Sequence, residues 1–221
     1  MPSPWMESVR RSKQLTVFPT QAVVQGSWAG VFTAAMAEFN RLSATLNFGV
    51  TLVLSATPPD SNGFGGANVN FDVGDGEMHF MVLGNDKSVN VIGDALHGHT
   101  QVASWINGKG DKEVIKAFTY VPRNPIVETG PAGQQVKRNA GDGIRLFIAV
   151  HELIHTAGLS NPEHSPEIIP DIFIGQPQPS PGKTPQDDKL RIRLDPPNNN
   201  LFAPPLIVSA RTAGLIRSNW P

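Results

Sequence analysis

The chain has 221 residues, 39% of them hydrophobic, and a formal net charge of −1. That apolar fraction supports a packed core and excludes global disorder. The near-neutral charge, with no long block of Lys or Arg, excludes the basic stripe that a phosphate backbone requires, so no nucleic-acid partner is expected; the absence of cysteine removes disulfides, thiolate metal sites and cysteine catalysis.

The opening run MPSPWMESVRRSKQLTVFPT contains no apolar signal core. No stretch approaches the ~18 apolar residues of a membrane helix. A soluble chain without signal peptide or membrane partner is expected. Residues 14–18 (QLTVF) alternate as a first strand. Pro19 and Thr20 offer a helix start with Thr20 as N-cap, and Val24, Trp28, Val31, Ala35, Phe39 and Leu42 recur at helical spacing, which predicts one amphipathic helix over about 21–44. Val50 to Leu54 reads as a buried strand and 57–69 as a loop. Further strands are predicted near 68–73, 77–83, 89–93, 101–106 and 114–121, with 122–142 a loop leading into a helix.

From Ile144 to Ala157 the sequence is apolar almost all round, which predicts a central buried helix; Gly158 supplies a residue able to end it in the left-handed conformation. Residues 165–207 form a proline-rich irregular excursion. Ser209 to Trp220 reads as a short closing helix capped by Ser209. The whole chain, 1–221, is expected to be a single domain of the α+β class.

The buried helix carries His151-Glu152-Leu153-Ile154-His155. Positions i and i+4 share one helix face, so both imidazoles can hold one Zn²⁺. Glu152 sits too far round the helix to join them as a ligand, but it can reach a metal-bound water, which suits a general base.

The run HELIHTAGLSNPEH resembles the zinc motif HExxHxxGxxH of the metzincin metallopeptidases, matched at His151, Glu152, His155 and Gly158. The resemblance implies a metzincin-like fold: a long first helix, a twisted mixed sheet, a buried zinc helix, an irregular stretch and a final helix. The family's third-ligand position holds Asn161. His164, three residues on, is the preferred third ligand, reached through a turn that Asn161 caps and Pro162 begins; Glu163 and Asn161 are the alternatives. Ser160 and Glu163 also have capping-box spacing. No methionine follows the motif, so Phe202 or Ala203 is expected where the family places a methionine beneath the metal.

The implied function is a zinc-dependent metalloendopeptidase, in which Glu152 takes a proton from the metal-activated water and passes it to the leaving amine. The protein or peptide substrate would lie along an edge strand near 91–106. Other readings are a structural or binding module that retains the fold inside a virion or secretion assembly, with an unidentified partner, and a hydrolase of other amides such as cell-wall peptides. His97 and His99 read as surface histidines, with a second metal as the alternative. His79 reads as structural, and Tyr120 receives no role from the resemblance. Asp72, Asp75 and Glu77, with Gly74 and Gly76, read as a solvated turn rather than a calcium loop.

Overall fold

The computed structural model describes residues 3–60, 64–74, 76–82, 85–91, 98–129, 136–165, 171–173, 193–195, 200–202 and 206–221, with the backbone path alone for 76–82, 85–91, 127–129, 136–138, 193–195 and 200–202. A short helix α1 (Glu7–Ser12) precedes strand β1 (Gln14–Pro19). Helices α2 (Gln21–Val24) and α3 (Ala29–Leu46) lead to β2 (Thr51–Leu54) and β3 (Val69–Gly74). Strands β4 (Gly76–Val82) and β5 (Asn85–Val91) form an antiparallel pair, followed by β6 (His99–Ile106) and β7 (Lys112–Pro122). A second pair, β8 (Ile126–Thr129) and β9 (Val136–Asn139), precedes α4 (Asp142–Thr156). The antiparallel strands β10 (Arg193–Asp195) and β11 (Asn200–Phe202) and the helix α5 (Ala210–Asn219) complete the described elements.

The central sheet has five strands in the order β2-β1-β3-β7-β6. The first four run parallel, and β6 pairs antiparallel with β7 at the edge. The class is α+β with a mixed sheet, as the sequence predicts. β7, flanked on both sides, is buried from Glu113 to Pro122, as expected of a strand covered on both faces. The opposite edge is blunted by a side chain: Asn40 of α3 donates from Nδ2 to Leu52 O (2.9 Å) and accepts from Leu52 N at Oδ1 (2.7 Å). Those two bonds satisfy backbone groups that an outer strand otherwise leaves open.

One large cluster of buried side chains runs from Trp5 to Trp220. α3 contributes Val31, Phe32, Ala35, Phe39 and Leu42, and packs against α4, which also lies against β6 and β7. Among the described residues, no helix is long and apolar enough to cross a membrane.

Four expectations are corrected. The helix over 21–44 is two helices, broken between Val24 and Ala29, so Val23 is buried and Val24 is exposed. Thr20 makes no capping bond; its hydroxyl bonds Asp72 Oδ1 instead. The strand at 50–54 is an outer one, and Leu54 is 68% exposed. The loop expected at 122–142 contains β8 and β9, short strands of mixed polarity bounded in the sequence by Pro and Gly. Asp72 Oδ1 also accepts from Val73 N (2.8 Å), so that carboxylate serves the backbone locally; Asp75 and the Glu77 side chain lie outside the described residues.

Candidate metal centre

Helix α4 presents His151 and His155 one turn apart, their ring centroids 5.1 Å from each other. The helix ends at Thr156, and Gly158 takes φ +101°. A Cβ at that glycine would meet Asn219 Nδ2 at 2.9 Å and Ser3 O at 3.1 Å, so both the backbone angle and the space require glycine. The carbonyls released at the helix end are taken by indole and amide donors. Trp5 Nε1 donates to Thr156 O (2.7 Å), Trp220 Nε1 to Ala157 O (2.9 Å) and Asn219 Nδ2 to Gly158 O (3.3 Å).

Beyond that bend, a single 3-10 turn spans Asn161–Glu163. Its N-cap is Ser160 rather than Asn161, in a capping box with Glu163. The turn delivers His164 to the face of α4 that bears the other two histidines. His164 Nε2 lies 3.2 Å from His151 Nε2 and 3.2 Å from His155 Nε2. Glu163 points its carboxylate back at Ser160, and Asn161 is exposed. Of the three candidates for a third ligand, His164 is therefore the one grouped with the helix pair, and His151, His155 and His164 together could hold a metal ion.

The hydrogen positions sharpen this. His151 Nδ1 lies 2.7 Å from Ile172 O, and His155 Nδ1 lies 2.9 Å from Leu159 O. A carbonyl only accepts, so each Nδ1 carries the hydrogen and each neutral ring turns a lone pair inward at Nε2. His164 Nε2 has at most one hydrogen and can serve only one of them. The remaining contact sets two nitrogen lone pairs 3.2 Å apart, an arrangement that a shared cation relieves. Four tetrahedral ligands at 2.0–2.1 Å from zinc sit about 3.3 Å apart, so the spacing and the donor set fit such an ion. Burial holds the His155 pKa well below the ordinary imidazole value, reinforced by His151. Burial also lowers His164, against the opposing charge of Glu163. Neutral imidazole, the ligating form, is thereby favoured.

Glu152 is 3% exposed and faces the sheet. Thr100 Oγ1, on β6, donates to Glu152 Oε2 (2.7 Å) and lies 3.0 Å from Thr119 Oγ1 on β7. Burial pushes the Glu152 carboxyl up to about 8, with the Thr100 hydrogen bond pulling the other way. Gly98 makes room for it: a Cβ there would sit 2.6 Å from Glu152 Cγ and 2.7 Å from Tyr120 O.

The ring lying against all three imidazoles is Phe173, with centroids 5.3 Å from His151, 4.8 Å from His155 and 4.6 Å from His164. The family resemblance implies such a residue at Phe202 or Ala203; Ala203 and the Phe202 side chain lie outside the described residues. Phe173, Thr100 and Gly98 carry no such expectation from the sequence. The one signal for Phe173 was the apolar run Ile172-Phe173-Ile174 within a polar, proline-rich stretch. His99 begins β6, paired with Tyr120, which is buried. His97 and the His79 side chain lie outside the described residues. No protein-family model and no curated protein matches the chain.

Proposed function

We propose that the chain is a zinc-dependent endopeptidase with a metzincin-like fold, in which His151, His155 and His164 hold the ion and Glu152 is the general base. The observation that carries this reading is the convergence of three inward-facing Nε2 atoms at a helix that also carries a buried carboxylate, Glu152, next in sequence to His151. A site needed only to tie the chain together has no use for a buried carboxylate on the helix that carries two of its ligands. When bound, the ion supplies Lewis acidity toward a peptide carbonyl and acidifies a water molecule.

The protein's own groups do the rest. Thr100 holds Glu152 Oε2, which leaves Oε1 to take a proton from the attacking water and return it to the departing amine nitrogen. The water oxygen ends on the carbonyl carbon as the C–N bond breaks. β6 forms an edge of the sheet beside Glu152, with Val102 and Ile106 exposed along it. An extended peptide can add there as a further strand, its backbone paired by β6. The motif spacing, the mixed sheet with an antiparallel outer strand, and the closing helix support the metzincin-like reading over other zinc hydrolases.

The deciding experiment compares wild type with Glu152→Gln for zinc content by elemental mass spectrometry and for cleavage of denatured casein. The expected result is one zinc per chain in both proteins, with chelator-sensitive cleavage in wild type reduced at least ~100-fold in the variant. Equal cleavage by both would remove Glu152 from the chemistry. Zinc without cleavage in wild type would favour a binding or structural module instead.

A further inference from the structure

We infer that Asp171 is a positioning residue for the metal centre, holding in place the tripeptide that orients His151, anchors the chain after His164 and floors all three imidazoles. The inference rests on the reading of the three histidines as a metal site.

Residues 171–173 are buried yet belong to neither helix nor strand. No ladder of regular hydrogen bonds fixes them, so tertiary bonds must. Ile172 O is the acceptor that sets the His151 tautomer (2.7 Å). Phe173 O accepts from Ser165 N (2.7 Å), the residue that directly follows His164. The Phe173 ring contacts all three imidazoles. Three supports of the ligand set therefore pass through one short segment.

Asp171 uses both carboxylate oxygens on that segment's position. Oδ1 accepts from Phe173 N (3.0 Å), closing the tripeptide on itself. Oδ2 accepts from Thr212 Oγ1 (2.7 Å), tying it to the first turn of α5. Asp171 is 3% exposed and Thr212 is fully buried, so water does not replace either bond cheaply when a partner is removed. The carboxylate also lies at the N-terminal turn of α5, where the helix dipole favours negative charge. A backbone carbonyl orients an imidazole only as firmly as the carbonyl itself is held. Loss of the Asp171–Thr212 bond leaves the tripeptide on its backbone bonds, Ile172 N to Ile207 O (2.6 Å) and Ser165 N to Phe173 O (2.7 Å), and so loosens the His151 ring and the Phe173 floor. Outer partners of metal-bound histidines typically alter metal affinity by about 10–100-fold.

The test measures the zinc dissociation constant of the full chain by competition with a chelator of known affinity, for wild type, Asp171→Ala, Thr212→Val and Thr212→Ser. The visible spectrum of the cobalt(II)-loaded proteins is recorded alongside. Thr212→Val conserves volume, so it keeps the measurement meaningful should Asp171→Ala fail to fold. The expected result is ~10–100-fold weaker zinc binding and an altered cobalt spectrum in Thr212→Val, with Thr212→Ser near wild type because the hydroxyl is restored. A Thr212→Val protein of lower thermal stability but unchanged zinc affinity and cobalt spectrum would overturn the inference and leave Asp171 a structural tie. Wild type that takes up no zinc would overturn the metal reading beneath it, a failure visible in the control before any variant is compared.

Discussion

At the scale of single residues, Glu152 has the most telling chemistry. Burial makes this an unfavourable place for a negative charge, and although the Thr100 hydrogen bond pulls the other way, the Glu152 pKa rises to about 8. In the unfolded chain the same group ionises near its ordinary ~4.5. Between those values the folded state binds more protons than the unfolded one, so Glu152 costs stability as the pH rises, with the loss complete above its folded pKa. Without metal, wild type should lose on the order of 1–2 kcal/mol between pH 6.5 and 8, and Glu152→Gln should not. Thermal melts in excess chelator across that range check this; parallel curves for the two proteins would show that Glu152 is not the group responsible. His151, Glu152 and His155 were legible in the sequence because the i, i+4 relation is local and survives any tertiary arrangement. Their supports were not. Ile172 and Leu159 act through backbone carbonyls, which leave no signature in residue identity, and Phe173 and Thr100 reach the site from remote segments.

At the scale of elements, the site is a junction between α4 and the first residues of β6, and Gly98 marks how close they come. A Cβ would press on both Glu152 Cγ and the backbone carbonyl of Tyr120. The glutamate side chain can yield, but the β7 carbonyl cannot move without disturbing the sheet. Gly98→Ala should therefore cost about 1–3 kcal/mol through overpacking while the grouping of the three histidines, and with it the proposed metal binding, is kept. Gly108, whose Cβ would meet nothing within 4 Å, is the matched control. Equal melting temperatures for Gly98→Ala and Gly108→Ala would mean that β6 and α4 do not approach this closely. The strands and helices with strong periodicity, β1, β3, β7, α4 and α5, were readable from sequence because one face or all faces meet the core. The break before α3 was not, since Val24 and Trp28 continue the same apolar spacing and only packing shows that Val24 faces solvent. The pair β8–β9 escaped because short strands of mixed polarity, bounded by Pro and Gly, carry the same signals as a loop.

At the scale of the whole molecule, the opposite ends of the chain meet at the C-terminus of α4. Trp5 and Trp220 are both buried and cap successive carbonyls, Thr156 O and Ala157 O. Those carbonyls belong to the bend that carries the chain from His155 to His164. Neither indole was recognisable as a cap from sequence, because such caps come from distant segments and follow no local spacing rule. Trp5→Phe and Trp220→Phe each leave a buried carbonyl short of a donor, at a cost of about 1–3 kcal/mol. For a chain of this size that lowers Tm by roughly 2–12 °C. Because the two bonds brace one bend, losing the first loosens the structure on which the second acts. The double variant should then lose less than the sum of the single losses, by about 0.5 kcal/mol or more. A double-mutant cycle from denaturant unfolding gives that coupling directly. Strict additivity would mean that the two ends stabilise the molecule independently. Coupling would make the bend between the second and third histidines a single cooperative unit, held from both ends of the chain.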